Sequence, residues 1–198
     1  MRAPGPSFDS ATARRGSAGF TLIELITVIV LLGILAAVGS NMLSDSFTTT
    51  RMVNAGYASE SEARYALERL AREIREVKYL SAGNFCISTM TASQLVFQKP
   101  NAGSTDQTSC ATASNTITIS YSAPALTLAY ASPASSGTLT SAVASNGFAL
   151  SYFQNDGTTA ATGIANVAFV LIKLTVADAT SGQSVAQRVR VGLRNYSP

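Results

Sequence analysis

Residues 19–39 read GFTLIELITVIVLLGILAAVG, and the interpretation of the whole chain turns on this stretch. From Phe20 to Gly39 every residue is apolar or small except Thr21, Thr27 and Glu24, and no further charge occurs until Asp45. A helix needs roughly 20 apolar residues to cross a hydrocarbon core about 30 Å thick, so the run has the length of one membrane span. Arg14 and Arg15 stand just before it, and the positive-inside tendency then places residues 1–19 in the cytoplasm and the chain after Asp45 on the other side. A carboxylate in a membrane helix is costly and usually marks a function with a cationic partner. Glu24 therefore calls for a cation, unless it sits at headgroup level or serves as a first-turn carboxylate favoured by the helix dipole.

Composition narrows the possible chemistry. The 198 residues suffice for one folded domain plus an appendage. With 46% hydrophobic and 13% charged residues, the chain lacks the charge excess of a disordered protein. The formal net charge of +3 includes Arg2, Arg14 and Arg15 ahead of the apolar run, so the remainder is close to neutral and nucleic acid is not an expected partner. The absence of His removes the His general base, Ser-His and Cys-His nucleophile pairs and His-containing zinc sites. No phosphate-binding glycine loop, paired catalytic acids or lysine-activated serine stands out, so neither an enzyme nor a cofactor is expected. Cys86 and Cys110, outside any Cys-x-x-Cys pair and on the exported side, suggest a structural disulfide.

The string GFTLIEL, Gly19 to Leu25, resembles the processing and assembly motif of type IV prepilins. The resemblance implies that a prepilin peptidase cuts between Gly19 and Phe20 and methylates the new amine of Phe20. It also maps Glu24 onto the family's fifth mature residue, a glutamate thought to meet the N-terminal amine of a neighbouring subunit. In lipid an unpaired carboxylate or ammonium costs more than in water, so such a pair can set axial register. Two departures are visible: Ala18 rather than Lys or Arg precedes Gly19, and Asn41 stands near the place of a proline common in major pilins. A conventional secretory or twin-arginine signal, with Arg14-Arg15 as its pair and a cut near Leu35-Ala36-Ala37, is the competing reading. Against it count Glu24 and an apolar run longer than the usual roughly 7–15 residues.

Beyond the apolar run, Ala63, Leu67, Leu70, Ile74 and Val77 recur at spacings of four and three, which predicts a helix with one buried face. Glu68 with Arg72, Arg69 with Glu73, and Arg72 with Glu76 stand four apart and read as solvated supports of that helix. No proline interrupts Phe20 to Leu80, so one helix of about 60 residues, about 90 Å long, is possible. Gly33, Gly39, Gly56 and Thr48 to Thr50 are places where it could bend, and Ser81-Ala82-Gly83 reads as its stop. Strands are expected at 85–89, 94–99, 116–122, 126–131, 148–153, 167–176 and 185–193, with Asp156-Gly157 as a turn. Calcium binding, known in some pseudopilins, finds too few oxygen ligands around Asp156 to be inferred. Arg188, Arg190 and Arg194 fall at even spacing on the last strand, opposite Val189, Val191 and Leu193. They read either as charges protecting an edge strand or as a contact for a ligand or partner.

The expected fold is α+β, a long N-terminal helix packed on an antiparallel sheet, which the pilin resemblance also implies. Its organisation is a leader at 1–19, a membrane or filament-core helix at 20–44, an amphipathic continuation at 45–80 and a β-rich domain at 81–198. Ser61 to Val77 and Val189 to Asn195 further resemble W-type minor pilins, J-type pseudopilins and the O-type minor pilin of mannose-sensitive haemagglutinin pili. The resemblance implies a minor pilin or pseudopilin of a type IV pilus or type II secretion machine. It would lie in the bacterial inner membrane before assembly and in a filament afterwards. Its partners would be the prepilin peptidase, other major and minor pilins or pseudopilins, and the inner-membrane assembly platform. The alternative is an adhesin or DNA-uptake minor pilin whose β domain binds a ligand.

Overall fold

The structure, a computed structural model, describes residues 19–100, 108–110, 115–178 and 182–193. The chain divides into two units, Met1–Phe47 and Thr48–Pro198, and helix α1 (Leu22–Arg75) contributes to both. In the first unit the described residues are helical from Leu22 onward, with their apolar side chains exposed. Within α1 lies a window of mean hydropathy 2.7 with none of its residues buried, long and apolar enough to cross a membrane. None of Gly33, Gly39, Gly56 or Thr48 to Thr50 interrupts the helix. Hydroxyls inside it donate back to the preceding turn, Thr27 to the Glu24 carbonyl at 2.9 Å and Ser46 to the Met42 carbonyl at 2.7 Å. Such back-bonding satisfies a polar side chain without water, as an apolar setting requires.

The second unit is built from the last turns of α1 and two antiparallel sheets. Strands β1 (Ile87–Met90), β2 (Gln94–Gln98), β3 (Thr116–Ser122), β4 (Ala125–Tyr130) and β5 (Ser135–Thr140) form one five-stranded meander in chain order. Strands β6 (Val143–Phe153), β7 (Phe169–Ala177) and β8 (Ser184–Gly192) form the other, with a short 3-10 helix at Ile164–Asn166 before β7. The expectation of one sheet is therefore corrected to two. They meet where the Leu150 amide of β6 donates to the Ala92 carbonyl at 2.8 Å and where the Tyr121 and Phe148 rings pack tilted, with centroids 5.6 Å apart.

Both sheets share one core. Ala63, Leu67, Leu70 and Ile74 of α1 join a single buried cluster with Leu95, Phe97, Ile119 and Leu126 from the first sheet and Leu150, Val170, Ile172 and Leu174 from the second. The period of two along β2, β3 and β7, where buried residues alternate with half-buried or exposed ones, turns one strand face onto the helix. The helical spacing of three and four does the same from the other side.

Three local expectations change. Helix α1 ends at Arg75 rather than near Leu80, because the backbone of Lys78 enters the sheet: its amide donates to the Gln98 carbonyl and its carbonyl accepts from the Cys86 amide, both at 2.8 Å. Gly83, at φ +89°, then turns the chain back so that Tyr79 bridges Phe85. Strand β5, SSGTLT, lies outside the expected strands, since its sequence shows no apolar alternation, and it is exposed along most of its length. It forms nonetheless as the outer strand paired to β4. Strand β6 starts five residues earlier than the expected Phe148, across a bulge between Val143 and Phe148. The bulge needs Gly147, where a Cβ would stand 2.7 Å from the Thr175 carbonyl oxygen.

Glu73 corrects the expectation of a solvated charged face. It is buried, at 2% exposure, on the core side of α1. Its Oε1 accepts from the Tyr130 hydroxyl at 2.8 Å and pairs with Arg69 Nη2 at 3.1 Å, while Oε2 pairs with Lys99 Nζ. Lys99 also reaches Glu76 at 2.7 Å, and Arg69 donates to the Tyr130 hydroxyl at 2.6 Å. Burial by itself lowers the Lys99 pKa, but the Glu73 and Glu76 carboxylates outweigh it and hold the ammonium above the ordinary lysine value. Of the three expected i,i+4 pairs only Arg69–Glu73 forms among the described residues, and Arg64–Glu60 at 3.2 Å adds one that was not expected.

Two outcomes follow for stability. Lys99→Met leaves the buried Glu73 Oε2 without its partner and should cost about 3 kcal/mol in urea unfolding at pH 7, whereas Lys99→Met with Glu73→Met should recover most of that loss. In the unsubstituted chain the Lys99 contribution is complete below the unfolded lysine value of about 10.4 and disappears as pH rises through the higher folded value. Cys86 and Cys110 are joined, with Cα atoms 5.5 Å apart. Non-reducing peptide mapping should return that bridge, and replacing both cysteines with Ala should lower stability by about 3 kcal/mol on the loop-entropy model.

Candidate functional site

Gly19, Phe20 and Thr21 precede the first turn of α1 in extended or irregular backbone, and all three are exposed, Phe20 to 81%. A peptide bond between Gly19 and Phe20 is thus outside the helical hydrogen-bond ladder, as a protease substrate needs to be. Thr21 is the N-cap. Its hydroxyl accepts from the Glu24 amide at 3.3 Å, and its carbonyl accepts from the Glu24 and Leu25 amides at 3.1 and 3.2 Å. One of the amide donors left over at a helix start, that of Glu24, is met in this way, while the Leu25 bond is the first of the regular helical ladder. The role of Thr21 was missed, although Thr-x-x-Glu before an apolar run is the capping-box pattern and was readable.

Glu24 occupies the third position of the helix, where a carboxylate gains from the positive end of the dipole. It is exposed, and no ion pair engages it among the described residues. Dipole and cap together offset part of the cost of a carboxylate here without neutralising it. The site can therefore do one thing chemically: present a negative charge at the head of an apolar helix, four residues after the Phe20 nitrogen that cleavage would free.

The Cys86–Cys110 bridge ties the segment before β1 to the chain beyond β2. Beside it Lys78, itself buried, donates from Nζ to the Ser109 carbonyl at 2.8 Å, a contact no periodicity announced. Asp156 forms the turn expected of Asp-Gly. Its Oδ1 accepts from the Thr158 and Thr159 amides at 2.9 Å, and Gly157 takes φ +69°. The Thr159 hydroxyl first, and the two amides with it, hold the Asp156 carboxyl down at about 2. No group of three or more metal-ligating residues occurs among the described residues.

Arg188 and Arg190 are both exposed on β8, while Val191 and Leu193 are buried, so the strand alternates as expected. The two arginines have different surroundings. Arg190 lies over the Phe153 ring at 5.0 Å, whereas Arg188 borders a groove between β8 and α1. Arg194 lies outside the described residues.

No curated protein and no solved structure matches the chain. Residues 14–40 match the family model described as the prokaryotic N-terminal methylation motif, a match that covers Gly19, Phe20 and Glu24 and supports the type IV pilin-like reading of this segment as a prepilin-peptidase substrate.

Proposed function

We propose that the chain is a minor pilin or pseudopilin, a structural subunit that takes part in initiating or assembling a type IV pilus or a type II secretion pseudopilus. The observation that carries this reading is the methylation-motif match over residues 14–40, set at the start of an exposed apolar helix that continues into a folded α+β unit. The leader is removed between Gly19 and Phe20, and the Phe20 amine is methylated. The apolar part of α1 holds the subunit in the inner membrane with its second unit in the periplasm. Assembly then transfers the helix into the filament core, where Glu24 pairs with the Phe20 amine of a neighbouring subunit. The role is structural rather than catalytic, and its partners are other pilins or pseudopilins, the prepilin peptidase and the assembly platform. The resemblance of Ser61 to Val77 and Val189 to Asn195 to W-, J- and O-type subunits favours a minor over a major subunit.

Intact-mass and N-terminal analysis of the mature protein should find a methylated Phe20 as first residue. A start near Val38 would instead restore the conventional signal peptide. Glu24→Gln keeps the side-chain shape but removes the charge that makes an ammonium pair strong in a low dielectric. Insertion and processing should continue, since a neutral amide is less costly in a membrane helix. Filament number and co-purification of partner subunits should fall; both remaining at wild-type levels would rule out Glu24 as the register charge.

A further inference from the structure

Strand β8 is the outer strand of the three-stranded sheet: it pairs with β7, and no described strand lies on its other side. Beside it a groove of about 400 Å3 separates the strand from α1. Buried Leu67 and Ala71 of the helix and half-buried Val189 of the strand give the groove an apolar component. Arg64, Arg72, Arg75 and Arg188 line it and are exposed, against the single carboxylate of Glu68. Arg64 is engaged by Glu60 at 3.2 Å, whereas none of the described ion pairs includes Arg72, Arg75 or Arg188. The place thus combines a strand edge that no described strand pairs, an apolar strip and an excess of guanidinium groups.

We propose that the β8 edge receives an extended, acidic segment of a partner protein, which adds to β6–β7–β8 as a fourth strand. Strand addition supplies the backbone hydrogen bonds that the edge leaves unmade. In an added strand alternate side chains face the same way, so one set covers the apolar strip at Leu67, Ala71 and Val189. The helix-facing set also carries carboxylates for Arg72 and Arg75, and the opposite set carries one for Arg188; guanidinium–carboxylate pairs are strong because the two forks match. The charge on the groove sets the sign of its partner, and complementarity of this kind governs which partners are excluded. A nucleic acid would use the arginines but not the strand edge, would gain nothing from the apolar strip, and would meet Glu68 as a repulsive charge. The inference concerns the second unit alone and does not rest on processing at Gly19.

The test uses the full-length, 15N-labelled chain in detergent micelles and four probes. The first is a Val–Glu peptide of roughly nine residues whose helix-facing set has Val at the middle and Glu toward the ends and whose opposite set is Glu, a length within the usual range of strands. The second replaces its Glu with Lys, the third carries N-methyl groups on alternate amides of the Val–Glu peptide, and the fourth is a short DNA duplex. The Val–Glu peptide should shift the amide signals of β8 and protect them from exchange, while the lysine and N-methyl peptides should not. Arg72→Glu with Arg188→Glu should weaken the peptide about tenfold or more, with an unchanged unfolding midpoint; Arg75→Glu provides a second variant at an exposed position. No binding of the Val–Glu peptide at millimolar concentration, equal binding of the lysine or N-methyl peptide, or shifts confined to other strands would overturn the proposal. So would a DNA duplex that binds more tightly than the peptide and is lost in the same variants, which would make the groove a nucleic-acid site.

Discussion

Burial of one stripe of α1, from Ala63 to Ile74, is the contact on which the second unit depends. Two separate sheets, of five strands and three, have no common hydrogen-bonded ladder, so what joins them is chiefly the apolar surface they bury against the same helix. Leu70 and Ile74 are wholly buried. Each fully buried side chain of this kind is worth about 1.5–3 kcal/mol relative to exposure, and truncation to Ala would add a cavity cost. The polar contacts between the sheets, such as the Tyr121 hydroxyl to the Ala144 carbonyl at 3.3 Å, orient the junction more than they hold it.

Glu73 shows how tightly the same stripe constrains polar chemistry. A carboxylate between Leu70 and Ile74 is tolerable only if both oxygens are satisfied, because removing an ionised group from water costs several kcal/mol. Arg69 comes from the previous helical turn, Tyr130 from the end of β4 and Lys99 from the chain just after β2. The cluster therefore ties the helix to the first sheet at a defined register, something apolar contacts alone specify less sharply. Lys78 plays a comparable part near the disulfide, binding the Ser109 carbonyl.

In the first unit the physical problem is the reverse. Phe20, Leu22, Ile23 and Leu25 are exposed, and the apolar surface continues through Leu43 and Phe47. A contiguous apolar surface of this kind marks a membrane or an assembly contact. Several hydroxyls in this stretch are handled locally: Thr21 caps the helix, and Thr27 and Ser40 donate to carbonyls three residues earlier. Glu24 is a charge placed where the helix dipole favours it and where a cation would complete it.

The N-terminal features were legible in the sequence because they are properties of consecutive residues: an apolar run of membrane length, the GFTLIEL string, a lone carboxylate and a Thr-x-x-Glu cap. Periodicity likewise exposed the buried stripe at Ala63, Leu67, Leu70 and Ile74 and most of the strands, since residues that alternate at two or recur at three and four carry their own burial pattern. The single sheet, the helix end near Leu80, the omission of β5 and the solvated Glu73 differ from the structure for one reason. Each depends on a partner distant in the chain: the Gln98 carbonyl for Lys78, β4 for a strand of serine, glycine and threonine, and Tyr130 and Lys99 for a carboxylate that the helical wheel sets beside buried Ala66 and that only such partners make tolerable there. Local chemistry determined what each segment could become; long-range pairing, which alone can offset a buried charge or order a polar strand, decided which of those forms it took.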